Sequence, residues 1–436
     1  MNKDFGRGRV FKMVLRWLWV MMGLVQGLYL VGDPNSFSVQ VEGGVSAPMK
    51  LYLGVLGSGK ERYDCSQLTR LLVQCLSFEK LFDIKQELLS SAPTKKSDVT
   101  HLFDKGFDAA LFVTFEDLNS PVEWRLYDTQ PGEMISGKRQ AILGYVKDVA
   151  FGVAARVMKE LISVEAPFLS KIAFIERDRK KKKSLLTLVD YDGSSKQVLL
   201  SSARILVAPS WSLNREKPFL IVSEFTPSNV RFMGVDMEGK KYVLLDLEGT
   251  NVGISYGAEG RDVVYCRSGA IWSYQYNPET KRGVHRCLIR EQGTCASPSL
   301  TEDGDIVFCS EGKIKCYHVG SKRTSMLTPK GYNVAPAYSR ASGQIVYSTR
   351  IRGAMQLFTY DLKTKNMVQL THDRGDKVDP CWSPCGRYCV FCWENNIESR
   401  IAVLSIATKE YWFITPMGRC CRYPAWSPIF DKVILA

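Results

Sequence analysis

Cys381, Cys385, Cys389 and Cys392 crowd into one stretch of the sequence. Clustered thiolates suit a structural metal or a redox pair. Their intervals of three, three and two residues are not the paired C-x2-C knuckles of zinc ribbons. Three of the four also fall at repeat positions that other repeats fill with Ala, Ser, Val or Ile, which favours small buried residues or a local disulfide over metal. Gly253-Ile254-Ser255-Tyr256-Gly257 matches the G-x-S-x-G of a hydrolase nucleophile elbow. That elbow needs a strand-to-helix turn and a later His in a hydrolase domain, and no segment of that size follows. Gly54-Val55-Leu56-Gly57-Ser58-Gly59-Lys60 has the flavour of a phosphate loop but lacks Ser or Thr after the Lys, so it reads as a solvated turn. Residues 177–183 are nearly all basic and read as an exposed loop, with an acidic surface or lipid headgroup as the competing partner. His101, His285, His318 and His372 are scattered and suggest no metal site. No cofactor is expected.

What must position these residues is a repeat. Pro380-Cys381-Trp382-Ser383-Pro384-Cys385-Gly386 leads into an apolar run, and Pro424-Ala425-Trp426-Ser427-Pro428 and Pro209-Ser210-Trp211-Ser212 echo it. Weaker copies begin at Pro336, Pro298 and Ile254. The six anchors, at 209, 254, 298, 336, 380 and 424, step by 45, 44, 38, 44 and 44 residues. A second marker, Leu327-Thr328, Leu370-Thr371 and Ile414-Thr415, runs in phase with it, and Asp192-Gly193, Glu238-Gly239, Asp303-Gly304 and Ser342-Gly343 supply hairpin turns. A period of roughly 40–45 residues with four short strands per unit predicts a six-bladed β-propeller over 168–436. Trp211, Tyr256, Tyr338, Trp382 and Trp426 are then blade-packing residues. The 38-residue step predicts shorter loops between 298 and 336.

Residues 47–167 read as a small α/β domain. Strands are expected at 49–56, 107–115, 123–128 and 134–142. Helices are expected at 64–78, from Leu68, Leu71, Leu72, Cys75 and Leu76, and at 145–161, from Val149, Val153, Val157 and Leu161. The fold class is therefore mostly β: a propeller after a small α/β unit.

The apolar share of 45%, with 24% charged residues, fits a folded chain and excludes a disordered one. The net charge of +13 favours an acidic partner without naming it, and it is not gathered into a groove-reading helix, so nucleic acid is not expected. Residues 1–32 read as an export signal: Arg7, Arg9, Lys12 and Arg16 precede an apolar stretch at 17–31. A retained anchor and a buried core helix are the alternatives. The 13 cysteines cannot all pair internally. Residues 33–46 form an arm in which Phe37, Val39 and Val41 alternate with polar residues before the Gly43-Gly44 joint. Such a strand can add itself to another protein's sheet edge, or it can be an edge strand of the α/β domain.

The P-x-[WY]-S-P-x-G motif, followed by Tyr360-Asp361-Leu362-Lys363-Thr364 and Leu370-Thr371, resembles the repeat of the TolB family. The Lys105–Leu111 stretch and Ser170-Lys171-Ile172-Ala173-Phe174 extend the resemblance across the mature chain. The family usually has Asp before the motif's Gly; here Cys385 takes that place, and the repeat at 254 lacks both Pro and Ser. The resemblance implies a monomeric, non-enzymatic periplasmic scaffold. It would bind the peptidoglycan-associated lipoprotein at one mouth of the propeller, where the matching positions include Thr250, Asn251, Gly253, Thr294, Ala296, Tyr332 and Asn333, and TolA through the arm. The alternative is an exported propeller enzyme or ligand-binding module, lactonase-like or peptidase-associated, which would need convergent titratable groups in its pocket.

Overall fold

The computed structural model describes residues 48–57, 62–78, 80–115, 121–141, 145–213, 217–256, 262–277 and 282–430. The stretch expected to be an export signal, the expected arm with Phe37, Val39, Val41, Gly43 and Gly44, and Ser58 to Lys60 of the glycine-rich stretch lie outside them.

The first five strands make one sheet: β1 (Met49–Gly57), β2 (Phe82–Leu89), β3 (Ala109–Phe115), β4 (Val122–Asp128) and β5 (Glu133–Gln140), in the order β2-β1-β3-β4-β5. β1 is parallel to β2 and β3, and β4 and β5 continue antiparallel. Helix α1 (Arg62–Ser77) joins β1 to β2, and α2 (Lys96–Asp104) joins β2 to β3. The two crossovers run in opposite directions across the sheet, so right-handed connections put the helices on opposite faces. The alternation of β1 follows: Leu51, Leu53 and Val55 pack with Leu68, Leu72 and Leu76 of α1, whereas Tyr52 packs with Val99 and Leu102 of α2. Helix α3 (Val146–Ile162) adds Val149, Val153, Val157 and Leu161 to the α1 face and ends at Ser163, whose φ is 56°. Gly54 and Gly57 belong to β1 rather than to a turn. A Cβ at Gly54 would stand 2.7 Å from Leu89 Cδ1 and 2.8 Å from Phe112 Cδ1, so close packing explains this glycine.

From Lys171 the chain builds six four-stranded blades. Blade one is strands Lys171–Asp178, Lys183–Asp190 and Gln197–Ser202, and its innermost strand is the C-terminal Cys421–Trp426. That strand closes the ring, and Ser427 N donates to Lys171 O at 2.8 Å while Lys171 N donates to Ser427 Oγ at 2.8 Å. The innermost strands of blades two to six are Leu206–Trp211, Asn251–Tyr256, Cys295–Leu300, Asn333–Tyr338 and Asp376–Trp382. The 38-residue step corresponds to short strands in blade four, Ile306–Ser310 and Arg323–Met326, as well as a two-residue turn at Glu311-Gly312.

Each motif residue has a structural task. Trp211 Nε1 donates to Ala425 O, and Trp382 Nε1 donates to Ala337 O, both at 3.0 Å, tying each blade to the one before it. Trp426 Nε1 instead reaches Ser170 Oγ at 2.7 Å, on the linker from the α/β domain. The motif serines cap the hairpin that follows: Ser212 Oγ accepts from Phe219 N and Ser383 Oγ from Tyr388 N, each at 3.1 Å. The second marker works likewise, since Thr328, Thr371 and Thr415 accept from Ile314 N, Leu357 N and Ile401 N at 2.8–2.9 Å.

The α/β domain and the ring share one core. Phe78 meets Phe168, Tyr191, Tyr388 and Trp412 with ring centroids 5.0–6.3 Å apart. Lys171 and Lys147 both pair with the buried carboxylate of Asp190 beside this core.

Candidate functional site

The innermost strands line a central channel. Each has a bulge where its register against the second strand shifts, at 252/254, 296/299, 334/337, 378/381 and 422/425 among others. At each bulge one residue is left-handed: Ala208, Gly253, Ser297, Ala335, Asp379 and Tyr423, with φ between 49° and 65°. Every one immediately precedes an anchor of the repeat. A left-handed non-glycine residue costs roughly 1–2 kcal/mol, so five blades carry a penalty that only the third, with Gly253, avoids.

The channel's two ends differ. The inner strands finish on the side where Trp426 bonds Ser170 and the α/β domain joins the ring. There a cavity of about 480 Å³ is lined by Pro209, Trp211, Ser255, Trp382, Trp426 and Glu165, with other inner-strand residues. Ser255 Oγ accepts from Leu300 N at 3.0 Å, so the serine of the G-x-S-x-G match is an inter-blade bond on a strand. Gly257 lies outside the described residues. Trp211, Trp382 and Trp426 are each under a tenth exposed, consistent with packing.

The opposite mouth is where the inner strands begin. Thr250, Thr294 and Tyr332 are exposed there, Tyr332 at 52% with Arg350 over its ring at 5.7 Å. Asn251, Gly253, Ala296 and Asn333 belong to the inner strands themselves, because the bulge lets pairing start before the anchor. Asn251 and Asn333 are buried and hold the turns: their Nδ2 groups donate to Val230 O and Lys330 O at 2.6 and 2.7 Å. Gly253 and Ala296 are half-buried and not equivalent, since Ala296 sits two residues before its anchor. The basic hairpin borders this mouth: Arg177 N donates to Cys420 O at 2.8 Å, and Arg179, Lys180, Lys181 and Lys182 are exposed beyond it.

Sequence reasoning passed over the most unusual charge here. Asp379 is left-handed and half-buried in the wall of blade six. Burial pushes its carboxyl up to about 6; Glu394 adds to the rise and Arg422 opposes it. Arg422 Nη2 pairs with Glu394 Oε2 at 2.6 Å. The available signal was positional: the residue before each anchor.

The cysteines are mainly packing residues. Cys75 and the eleven cysteines from Cys266 to Cys421 are free thiols. In three blades a second-strand thiol donates to the first residues of the next inner strand: Cys266 Sγ to Cys295 O at 3.0 Å, Cys309 Sγ to Asn333 O at 3.3 Å and Cys392 Sγ to Cys421 O at 3.4 Å. His318, isolated in the sequence, lies beside Asp305 and Cys316.

Comparison with known proteins follows the same lines. Residues 158–430 match the TolB beta propeller domain. A Tol-Pal system protein TolB of Wigglesworthia glossinidia brevipalpis is 25% identical over 126 residues, 28% of this chain and 29% of that protein. Its namesake from Syntrophotalea carbinolica is 34% identical over 94 residues, 21% of each. The matched stretches thus span less than a third of these relatives' length. The crystal structure of TolB from Acinetobacter baumannii superposes with a TM-score of 0.72 at 19% identity, over 88% of this chain and 97% of that one, a likeness of fold. Six in-phase blades, the preceding α/β sheet and the family match converge: the chain belongs to the TolB β-propeller family.

Proposed function

We propose that this chain is a non-enzymatic scaffold of the Tol-Pal type that acts in the periplasm. It binds the peptidoglycan-associated lipoprotein at the mouth bearing Thr250, Thr294 and Tyr332, and TolA through the arm with Phe37, Val39 and Val41. In that role it supports outer-membrane integrity and cell division. The observation that carries the reading is the pairing of family membership with an exposed mouth on the side of the ring away from the α/β domain. The cavity at the other end accords with it: proline, serine, alanine and indole make up most of its lining, and the Arg340 guanidinium there donates to the Tyr256 carbonyl.

The test is binding of the full chain to the lipoprotein's soluble domain and, separately, to TolA. Thr250→Glu and Tyr332→Ala are expected to weaken the lipoprotein complex at unchanged melting temperature. Deletion of 33–42 is expected to abolish TolA binding and leave the lipoprotein complex intact or tighter. Unchanged lipoprotein affinity in both mouth variants moves the site elsewhere, and full TolA affinity after the deletion makes the arm structural only.

A further inference from the structure

Blade four brings together three side chains whose chemistry the rest of the molecule leaves unused. Asp305 stands before strand Ile306–Ser310, and Cys316 and His318 lie on the next strand, Lys313–His318. Two residues apart on one strand, they share a face. His318 Nδ1 is 2.6 Å from Asp305 Oδ2 and 4.0 Å from Cys316 Sγ. One donor atom from each of the three lies within 4.8 Å of the others.

We propose that Asp305, Cys316 and His318 form a site for a borderline-soft divalent cation, Zn²⁺, with its fourth position open to solvent. The donor set of one thiolate, one imidazole and one carboxylate is that of zinc rather than of calcium or magnesium. With metal–ligand distances of about 2.0–2.3 Å, tetrahedral donors sit roughly 3.3–3.7 Å apart. The Asp305–His318 contact, at 2.6 Å, must therefore open by about 0.7 Å, the Cys316–His318 contact, at 4.0 Å, close by about half an ångström, and the Asp305–Cys316 separation, within 4.8 Å, close by up to about 1.2 Å. The groups that must move are free to do so, because the Asp305 and His318 side chains are 27% and 42% exposed while Cys316 is fixed in the blade at 3%.

The surroundings already orient the ligands. His318 Nε2 lies 2.9 Å from Ser325 Oγ, on the adjoining strand, so with Nε2–H donated to that hydroxyl Nδ1 is the ring nitrogen that faces Asp305 and Cys316, sharing a proton with Asp305 Oδ2 at 2.6 Å. Val319 N donates to Asp305 Oδ1 at 3.0 Å, leaving Oδ2 turned toward the imidazole. Such outer partners fix ring tautomer and carboxylate direction in metal sites. On binding, the Cys316 thiol proton and the proton held between Nδ1 and Asp305 Oδ2 both pass to solvent, the Nε2 proton of His318 stays in place, and Zn²⁺ takes lone pairs from Sγ, Nδ1 and Oδ2.

The test uses the full chain, stripped with a chelator and kept reduced. Zn²⁺ is titrated in competition with a chromophoric chelator, and Co²⁺ serves as the spectroscopic probe. The expected result is one equivalent of Zn²⁺ bound, at least tenfold weaker binding in His318→Ala and Cys316→Ser, and unchanged binding in Cys420→Ser. The Co²⁺ complex should show thiolate-to-metal charge-transfer absorption that Cys316→Ser removes. Because Cys316 is buried, His318→Ala, at a half-buried position, carries the decision if the serine variant fails to fold. Zn²⁺ binding as tight in His318→Ala as in the parent, no Zn²⁺ binding by the parent, or a Co²⁺ complex without the thiolate band would each overturn the site.

Discussion

Replacing Asp379 by Asn isolates the cost of a desolvated carboxylate in the channel wall. The two side chains are nearly isosteric, and both tolerate the left-handed backbone that Asp379 adopts at φ 52°. The folded protein therefore changes chiefly in charge. The carboxyl sits at about 6 against an ordinary 3.8. That gap of about two pH units is worth about 3 kcal/mol at most. The native state holds this proton more tightly than the unfolded chain does, so stability falls as pH rises through the window from 3.8 to about 6, and the penalty is complete above it. Linkage then gives a cost of about 1 kcal/mol at pH 4.5 and about 3 kcal/mol at pH 8. Asp379→Asn should accordingly be more stable than the parent at pH 8, with a gain about three times that at pH 4.5. Urea midpoints followed by tryptophan fluorescence at the two pH values measure it. A variant no more stable than the parent at pH 8, or a gain of equal size at both, would refute the reasoning.

Three further variants test other parts of the molecule. Gly253→Ala should lower stability by about 1 kcal/mol through the backbone alone, because a Cβ there meets only Pro298 Cδ at 3.9 Å; thermal melts check it, and a loss above about 3 kcal/mol would mean a clash instead. Thr371→Val removes the hydroxyl that accepts from Leu357 N and donates to Gln356 Oε1, and should cost about 1–3 kcal/mol in urea unfolding. Glu at Lys180, Lys181 and Lys182 together should slow association with an acidic partner by about tenfold or more at low salt and much less at high salt, read by stopped-flow. A salt-independent rate would detach the hairpin from binding.

Much of this architecture was readable because the blades repeat their chemistry. A Trp that donates to the neighbouring blade and a Ser that caps a hairpin recur at nearly fixed spacing in Trp211-Ser212 and Trp382-Ser383, and Trp426-Ser427 repeats the pair with Ser170 as the indole's acceptor and Lys171 N as the serine's donor. β2 and α2 were missed for the opposite reason. β2 is an edge strand, largely exposed, so Phe82–Leu89 has no apolar alternation to follow, and the nine residues of α2 bury only Val99 and Leu102. The left-handed ring leaves no signature in residue type, since a backbone demand is met by Ala, Gly, Ser, Asp and Tyr alike. Asp305 and His318 are thirteen positions apart and meet only because a hairpin pairs their strands.

The inner strand of blade one is the last of all the described strands to be synthesised. Strands Lys171–Asp178, Lys183–Asp190 and Gln197–Ser202 leave the ribosome first, yet the edge of Lys171–Asp178 stays unpaired until Cys421–Trp426 follows. Through that interval the nascent protein is an open arc with a bare strand edge at one end, the state most exposed to pairing with another chain. Its maturation thus resembles fastening a clasp, whose two halves are made at the beginning and the end of the ring.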